Sequence, residues 1–173
     1  MRKSVLLMIL LFAVGMTASA QKFALIDMEY ILKNIPAYER ANEQLNQASK
    51  KWQSEVEKVA EEAKTLYKNY QSEAVFLSEE QKGKKEEAIV AKEKEAAELR
   101  RTYFGPEGEL FKKRESLMQP IQDEIYNAVK EISEQKGYSV VVDRASATSI
   151  IFASPRIDIS NEAVSYTHLT LPT

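Results

Sequence analysis

The fold is decided by the stretch from Tyr38 to Leu77, which reads YERANEQLNQASKKWQSEVEKVAEEAKTLYKNYQSEAVFL. Apolar or small residues recur in it every three or four positions, at Tyr38, Ala41, Leu45, Ala48, Trp52, Val56, Val59, Ala63, Leu66, Tyr70, Ala74 and Leu77. This average step of about 3.5 residues predicts a helix with one narrow apolar seam. Polar side chains occupy nearly all the other positions, so the helix must pack against a partner.

The partner is the next stretch of the same chain, because the sequence marks a turn near Leu77. Ser78-Glu79-Glu80-Gln81 is a capping box, in which a serine hydroxyl and a glutamine side chain bind the first free N–H groups of a helix. A reversal at this point brings the two seams together along their whole length. It pairs Leu66 with Ile89, Val59 with Ala96, Val56 with Leu99, Trp52 with Tyr103, Leu45 with Leu110 and Tyr38 with Leu117. We therefore predict an antiparallel helical-hairpin (coiled-coil) arm over residues 37–117, with its tip near residues 75–80.

Short strands on either side of the arm predict a small body, formed by residues 21–36 and 118–164. The predicted strands are residues 22–27, 138–143 and 150–153, each rich in apolar residues. A helix beyond Leu117 carries a wide apolar stripe and ends at Gly137. Three short strands make a thin core with exposed edges, so we expect the body to oligomerise. The predicted fold class is α+β, mostly helical, with the arm projecting from this body.

Residues 1–20 have the features of a cleavable signal peptide. Arg2 and Lys3 form a positive start, an apolar run follows, and Ala18-Ser19-Ala20 is a cleavage site. We therefore expect secretion to the periplasm and a mature chain that begins at Gln21. At the other end, residues 165–173 (SYTHLTLPT) do not continue an amphipathic helix, and they resemble non-native sequence appended to an open reading frame.

The composition argues against an enzyme, a cofactor site and a nucleic-acid binder. The chain has no cysteine and a single histidine, His168, which leaves no nucleophile–base pair and no zinc site. Removing Arg2 and Lys3 from the 24 basic residues leaves 22 against 26 acidic ones, a net charge of −4. Such a balance is unfavourable for binding a phosphate backbone. Three aspartates could be read as a metal cluster, but each lies at or near the boundary of an element, which favours a cap or turn role; they are Asp27, Asp143 and Asp158.

The return helix carries many lysines, but glutamates three or four positions away predict a mutually paired, solvated face. Lys82, Lys84 and Lys85 near the tip are the exception, because they could contact lipid phosphates. Further along, Gly105, Pro106 and Gly108 interrupt this helix. Two interpretations stay open for that interruption: a packing irregularity beside Trp52, or a hinge in the arm.

Three segments give the chain a specific resemblance. The chain resembles the Skp/OmpH family of periplasmic chaperones in the order of its parts. These are the signal, the segment Phe23 to Met28, the long hairpin, and the segments Tyr138 to Ala145 and Arg156 to Ser160. The resemblance implies a homotrimer with a strand body and three arms around a cavity. It also implies that this cavity holds unfolded outer-membrane β-barrel proteins without ATP. Some family members are strongly basic and this chain is acidic, so a positively charged or lipopolysaccharide-binding cavity is not carried over.

Client binding needs apolar side chains that the arm's own packing leaves available. Many such weak contacts together give useful affinity through effective concentration. The candidates are Tyr67, Val75 and Phe76, with Tyr70 and Leu77 partly committed to the arm itself. The alternative function is a structural coiled-coil spacer or adaptor of the cell envelope with one fixed protein partner. The interrupted arm and the strand-rich body favour the chaperone.

Overall fold

The computed structural model describes residues 21–147 and 149–170, with side chains up to Thr167. These residues form two compact units, one of residues 35–124 and one of residues 21–34 with 125–170. The elements in chain order are β1 (Lys22–Ile26), α1 (Met28–Lys33), α2 (Pro36–Glu73), a 3-10 turn (Ala74–Phe76), α3 (Glu79–Phe104), α4 (Glu109–Lys136), β2 (Tyr138–Asp143), a second 3-10 turn (Pro155–Ile157) and α5 (Ser160–Thr170). The predicted fold class, mostly helical with a long hairpin and a small sheet, is confirmed.

The unit of residues 35–124 contains the helical hairpin of α2 and α3. Pro36 occupies the first turn of α2, where its missing N–H has no partner to lose. At the turn, Ser78 Oγ accepts a hydrogen bond from the backbone of Gln81 at 3.3 Å. The Gln81 side chain accepts one from the backbone of Ser78 at 2.9 Å, which confirms the capping box. Buried seam residues hold α2 and α3 in this unit, namely Ala41, Leu45, Val56, Ala63 and Ile89.

A tight turn separates α3 from α4. The Gly105 N–H donates to the Arg101 carbonyl at 2.9 Å, and the Lys112 N–H donates to the Gly108 carbonyl at 3.1 Å. A Cβ added to Gly105 would lie 2.4 Å from the oxygen of Arg101, so a close approach of the backbone requires glycine there. The helix α4 then runs through Pro120 without ending, as the continuing apolar period predicts.

The other unit is built around two parallel strands. Strands β1 and β2 pair with Phe23 opposite Val140 and Ile26 opposite Asp143. In sequence, the whole helical hairpin is inserted between these two strands. Gly137 adopts a φ of 71°, a left-handed conformation that lets the chain leave α4 and enter β2. The core of this unit is aliphatic, with Ala24, Leu25, Ile26, Ile31, Ile125, Ala128, Ile132, Ile159 and Ala163 buried.

One sequence-based expectation is wrong in this unit. Residues 150–153 form no strand; Ile151 is fully exposed and Phe152 is 85% exposed. An apolar, β-branched run becomes a strand only where a sheet edge pairs with it, and within the described residues none does.

Helix α5 continues past Val164 to Thr170. That residues 165–173 are non-native sequence stays a prediction. The Tyr166 hydroxyl donates to Gln135 at 2.9 Å, so tertiary contacts sustain a helix whose sequence has little amphipathic pattern.

The predicted signal peptide, residues 1–20, lies outside the described residues. Within the part of the chain that the structure describes, no helix combines the length and apolarity that a membrane crossing needs.

Candidate functional site

The turn end of the hairpin presents two apolar side chains to solvent. Val75 is 88% exposed and Phe76 is 86% exposed. Both lie in the 3-10 turn, which is too short to turn them against α2 or α3. Leu77, the next residue, is half-buried and leads the chain into the cap of α3. These two neighbouring side chains give the turn end of the hairpin an uncovered apolar surface.

The two tyrosines of the predicted site have different surroundings. Tyr67 is 48% exposed and makes no hydrogen bond among the described residues. Tyr70 is half-buried, and its hydroxyl donates to the Glu86 carboxylate on α3. That hydrogen bond raises the pKa of Tyr70, because ionisation would place a second negative charge against the carboxylate. Tyr70 therefore helps to hold the hairpin, whereas Tyr67 is available to a partner.

Each of the three lysines near the tip contacts a glutamate. Lys82 lies 2.7 Å from Glu79, and Lys84 lies 2.7 Å from Glu80. Lys85 reaches across the hairpin to Glu73. These carboxylates neutralise the positive charge that would attract an anionic lipid surface. The three lysines that the sequence analysis treats as an exception are therefore paired with glutamates like the other lysines of the return helix.

A groove that the sequence reasoning did not single out runs along the hairpin between α2 and α3. Its volume is about 510 Å³, and its lining is mostly alanine and valine with Tyr67 at one end. The lining residues are Val56, Ala60, Ala63, Lys64, Tyr67, Glu93, Ala96, Ala97 and Arg100. Because alanines face each other across the helices, the side chains leave space along the contact. The nearest signal in the sequence is the clustering of alanines on both helices, at Ala60 and Ala63 on α2 and at Ala96 and Ala97 on α3.

The predicted hinge residues Gly105, Pro106 and Gly108 lie together in the turn between α3 and α4. A Cβ on Gly108 would come within 2.7 Å of the Thr102 oxygen, so this position too requires glycine. Beside the turn, the Tyr103 and Phe104 rings meet edge to face with centroids 6.4 Å apart. The turn is thus densely packed, and a hinge at this point stays a prediction.

Of the three aspartates considered for a metal site, two contact an arginine and the third accepts backbone hydrogen bonds. Arg144 contacts Asp27 at 3.1 Å and Asp158 at 3.2 Å. Asp143 accepts a hydrogen bond from the Met28 N–H at 3.1 Å. The guanidinium supplies the positive charge that a metal would otherwise bring. Among the described residues no group of three or more histidine, cysteine or acidic side chains could hold a metal ion.

The comparisons with known proteins agree with the fold and with the residues that the resemblance used. The model of the family described as outer membrane protein (OmpH-like) matches residues 22–166. The chain therefore belongs to the OmpH-like family, which is a family of chaperones. A comparison with curated protein sequences gives no match.

The fold also matches a solved structure of an OmpH-like protein from Caulobacter crescentus CB15, which is assigned as an outer membrane chaperone. The TM-score is 0.74 at 11% sequence identity, and the match covers 88% of this chain and 87% of the other. At this identity the likeness concerns the fold.

Proposed function

We propose that this chain is an ATP-independent periplasmic holdase chaperone. It binds unfolded outer-membrane β-barrel proteins in a cavity between helical arms and prevents their aggregation. Family membership supports the general class. The observation that carries the finer proposal is the exposed pair Val75 and Phe76 at the turn end of the hairpin, 88% and 86% accessible.

The client-binding residues in this proposal are Tyr67, Tyr70, Val75, Phe76 and Leu77. These side chains differ in solvent exposure: Val75 and Phe76 are almost fully exposed, about half of Tyr67 is exposed, and Tyr70 and Leu77 are half-buried. An unfolded polypeptide offers apolar side chains at irregular intervals, so scattered apolar contacts suit it better than one shaped pocket. Several weak contacts on each arm then add up through effective concentration.

We propose that the functional form is a homotrimer assembled through the body. Support comes from apolar side chains that the body unit leaves uncovered, with Phe23 50%, Val140 45% and Phe152 85% exposed. Phe23 and Val140 are neighbours across the two-stranded sheet. A sheet of two strands is marginal by itself, so added strands from other copies would stabilise it. Residues 150–153, unpaired in one chain, are candidates for that pairing.

The proposed location follows from the predicted signal peptide of residues 1–20, which would direct the chain to the periplasm. Because the sequence has no cysteine, the chain forms no disulfide there, and its stability would depend on packing and assembly. Membrane lipid has a smaller place in this proposal, because each lysine near the tip contacts a glutamate.

A second candidate function is a structural spacer or adaptor of the cell envelope. A spacer would bind one partner through a dedicated patch, and its arm would tolerate loss of the exposed tip residues. The densely packed turn of residues 105–108 suits a stiff arm and gives this alternative its support.

The experiment that separates the two uses the double variant Phe76→Ser with Tyr67→Ser, in the chain from Gln21 onward. A urea-unfolded outer-membrane β-barrel protein is diluted into it, and light scattering follows aggregation. We expect the wild type to suppress aggregation without nucleotide and the variant to need about tenfold more protein, since about 1.4 kcal/mol of binding free energy corresponds to tenfold in affinity.

A control removes an aromatic ring whose exposure is similar to that of Tyr67, elsewhere in the unit of residues 35–124. Phe111 is 45% exposed, so Phe111→Ser tests whether any exposed ring matters. The mass in solution should be the same for all three proteins. Equal suppression by the wild type and the double variant would remove both tip residues from the site, and no suppression by the wild type would favour the spacer.

A further inference from the structure

The turn end of the hairpin has no buried side chain. From Lys64 to Ala88, all of them residues that the structure describes, every position is exposed or half-buried. The last buried residue before the turn is Ala63, and the first buried residue after it is Ile89. Leu66, the seam residue predicted to pack on Ile89, is 37% exposed. We call residues 64–88 the tip segment and residues 41–63 with 89–104 the inner hairpin.

Polar contacts near the surface join the two helices of the tip segment. The Tyr70 hydroxyl binds Glu86, and Lys85 binds Glu73, with the two side chains of that ion pair 40% and 50% exposed. Exposed ion pairs are weak because water and salt screen them and because ordering two long side chains is unfavourable. The tip segment therefore lacks the apolar burial that gives most helices their stability in proteins.

A glycine in α3 weakens the tip segment further. Gly83 lies inside the helix, and a Cβ built on it meets nothing within 4 Å. Its φ is not in the left-handed region, so neither backbone conformation nor crowding requires glycine. Glycine within a helix is unfavourable relative to alanine because the unfolded chain has more freedom to lose.

We propose that the tip segment opens by local unfolding while the inner hairpin stays closed, and that the opened segment is the form that binds clients. Opening frees Tyr70 from Glu86 and uncovers Leu77, which then join Val75 and Phe76 in one apolar surface. This inference rests on the proposed function and adds that opening of the tip segment controls client binding. The apparent affinity for a client then scales with the fraction of molecules whose tip segment is open. A client that binds only the open form binds more weakly overall when that form is rare.

The test is amide hydrogen exchange on the chain from Gln21 onward, compared with the variant Gly83→Ala. In the wild type we expect tip-segment amides to exchange at least about tenfold faster than those of the inner hairpin. Gly83→Ala should slow tip exchange by about two- to fivefold, the effect of one glycine-to-alanine change in a helix. Raising the ionic strength to about 1 M should speed tip exchange more than exchange in the inner hairpin, which has the Lys92–Glu62 ion pair but also buried apolar residues.

A matched control is Ser54→Ala, which also introduces an alanine at an exposed helical position, but in the inner hairpin part of α2. It should leave tip exchange as in the wild type. Client affinity is then measured for both variants with an unfolded β-barrel protein. Gly83→Ala should weaken it by the same factor by which it slows exchange, and Ser54→Ala should not.

Two results would overturn the inference. One is tip-segment exchange as slow as that of the inner hairpin. The other is unchanged client affinity in Gly83→Ala despite slower exchange, which would leave the chaperone function standing and remove opening from it. If the wild type binds no client, the proposed function fails, and the exchange rates alone still decide whether the tip segment opens.

Discussion

Trp52 and Tyr103 stack face to face across the hairpin, with ring centroids 5.2 Å apart and planes inclined by 9°. The Tyr103 hydroxyl also donates to Glu55 at 2.6 Å, which ties α3 to α2 a second time. These two residues belong to the pairs that the apolar seam predicts. Their contact confirms the register of the hairpin by direct geometry.

Replacing Trp52 with alanine should destabilise the hairpin. The indole is half-buried and covers the Tyr103 ring, so we expect a loss of about 2 kcal/mol in the free energy of unfolding, below the range for fully buried aromatic residues. Urea unfolding followed by circular dichroism measures this loss. The control Lys50→Ala changes an exposed residue of the same helix, and an equal effect in both variants would contradict a special role for the stack.

Gly108→Ala should be strongly destabilising, in contrast to Gly83→Ala. The new Cβ at position 108 would lie 2.7 Å from the Thr102 oxygen and 2.9 Å from the Tyr103 oxygen, both backbone atoms that can move only with the turn. We expect a loss of about 2 kcal/mol or more in the free energy of unfolding. Thermal unfolding of the two variants side by side checks this. A neutral Gly108→Ala would show that the turn adapts readily, as a hinge would.

Acid should remove a contribution of Asp158 to the stability of the unit of residues 21–34 with 125–170. Partial burial alone would raise the pKa of Asp158, but hydrogen bonds from Ser160 and the charge of Arg144 outweigh it and lower that pKa below its ordinary value of 3.8. Because the pKa is lower in the folded state, the stabilisation is present above about pH 4 and disappears as the pH falls through the folded-state value.

The variant Asp158→Asn isolates this effect. Between about pH 6 and pH 3 the wild type should lose more free energy of unfolding than the variant does, since only the wild type has this carboxylate to protonate. Urea midpoints at the two pH values measure the difference. The same loss in both proteins would show that the contacts of Asp158 with Arg144 and Ser160 add nothing to stability.

The hairpin could be predicted because its determinants are local. A period of about 3.5 residues, a capping box at Ser78 and a glycine at position 137 act within one or two helical turns. The tip residues Val75 and Phe76 were accessible to the same reasoning, since they lie off the seam, between its positions Ala74 and Leu77. The groove beside Tyr67 was harder to foresee, because it depends on which alanines meet across two helices.

The helical hairpin, its register and its turn follow from local sequence patterns, because helix period and capping depend on neighbouring residues. The conformations of residues 150–153 and 165–170 depend instead on long-range packing. A strand needs a free edge and a helix of weak pattern needs a surface to pack on, and both come from residues far away in the chain. The contact of Arg144 with both Asp27 and Asp158 is of the same kind, since no sequence spacing shows that one guanidinium meets two carboxylates so far apart in the chain.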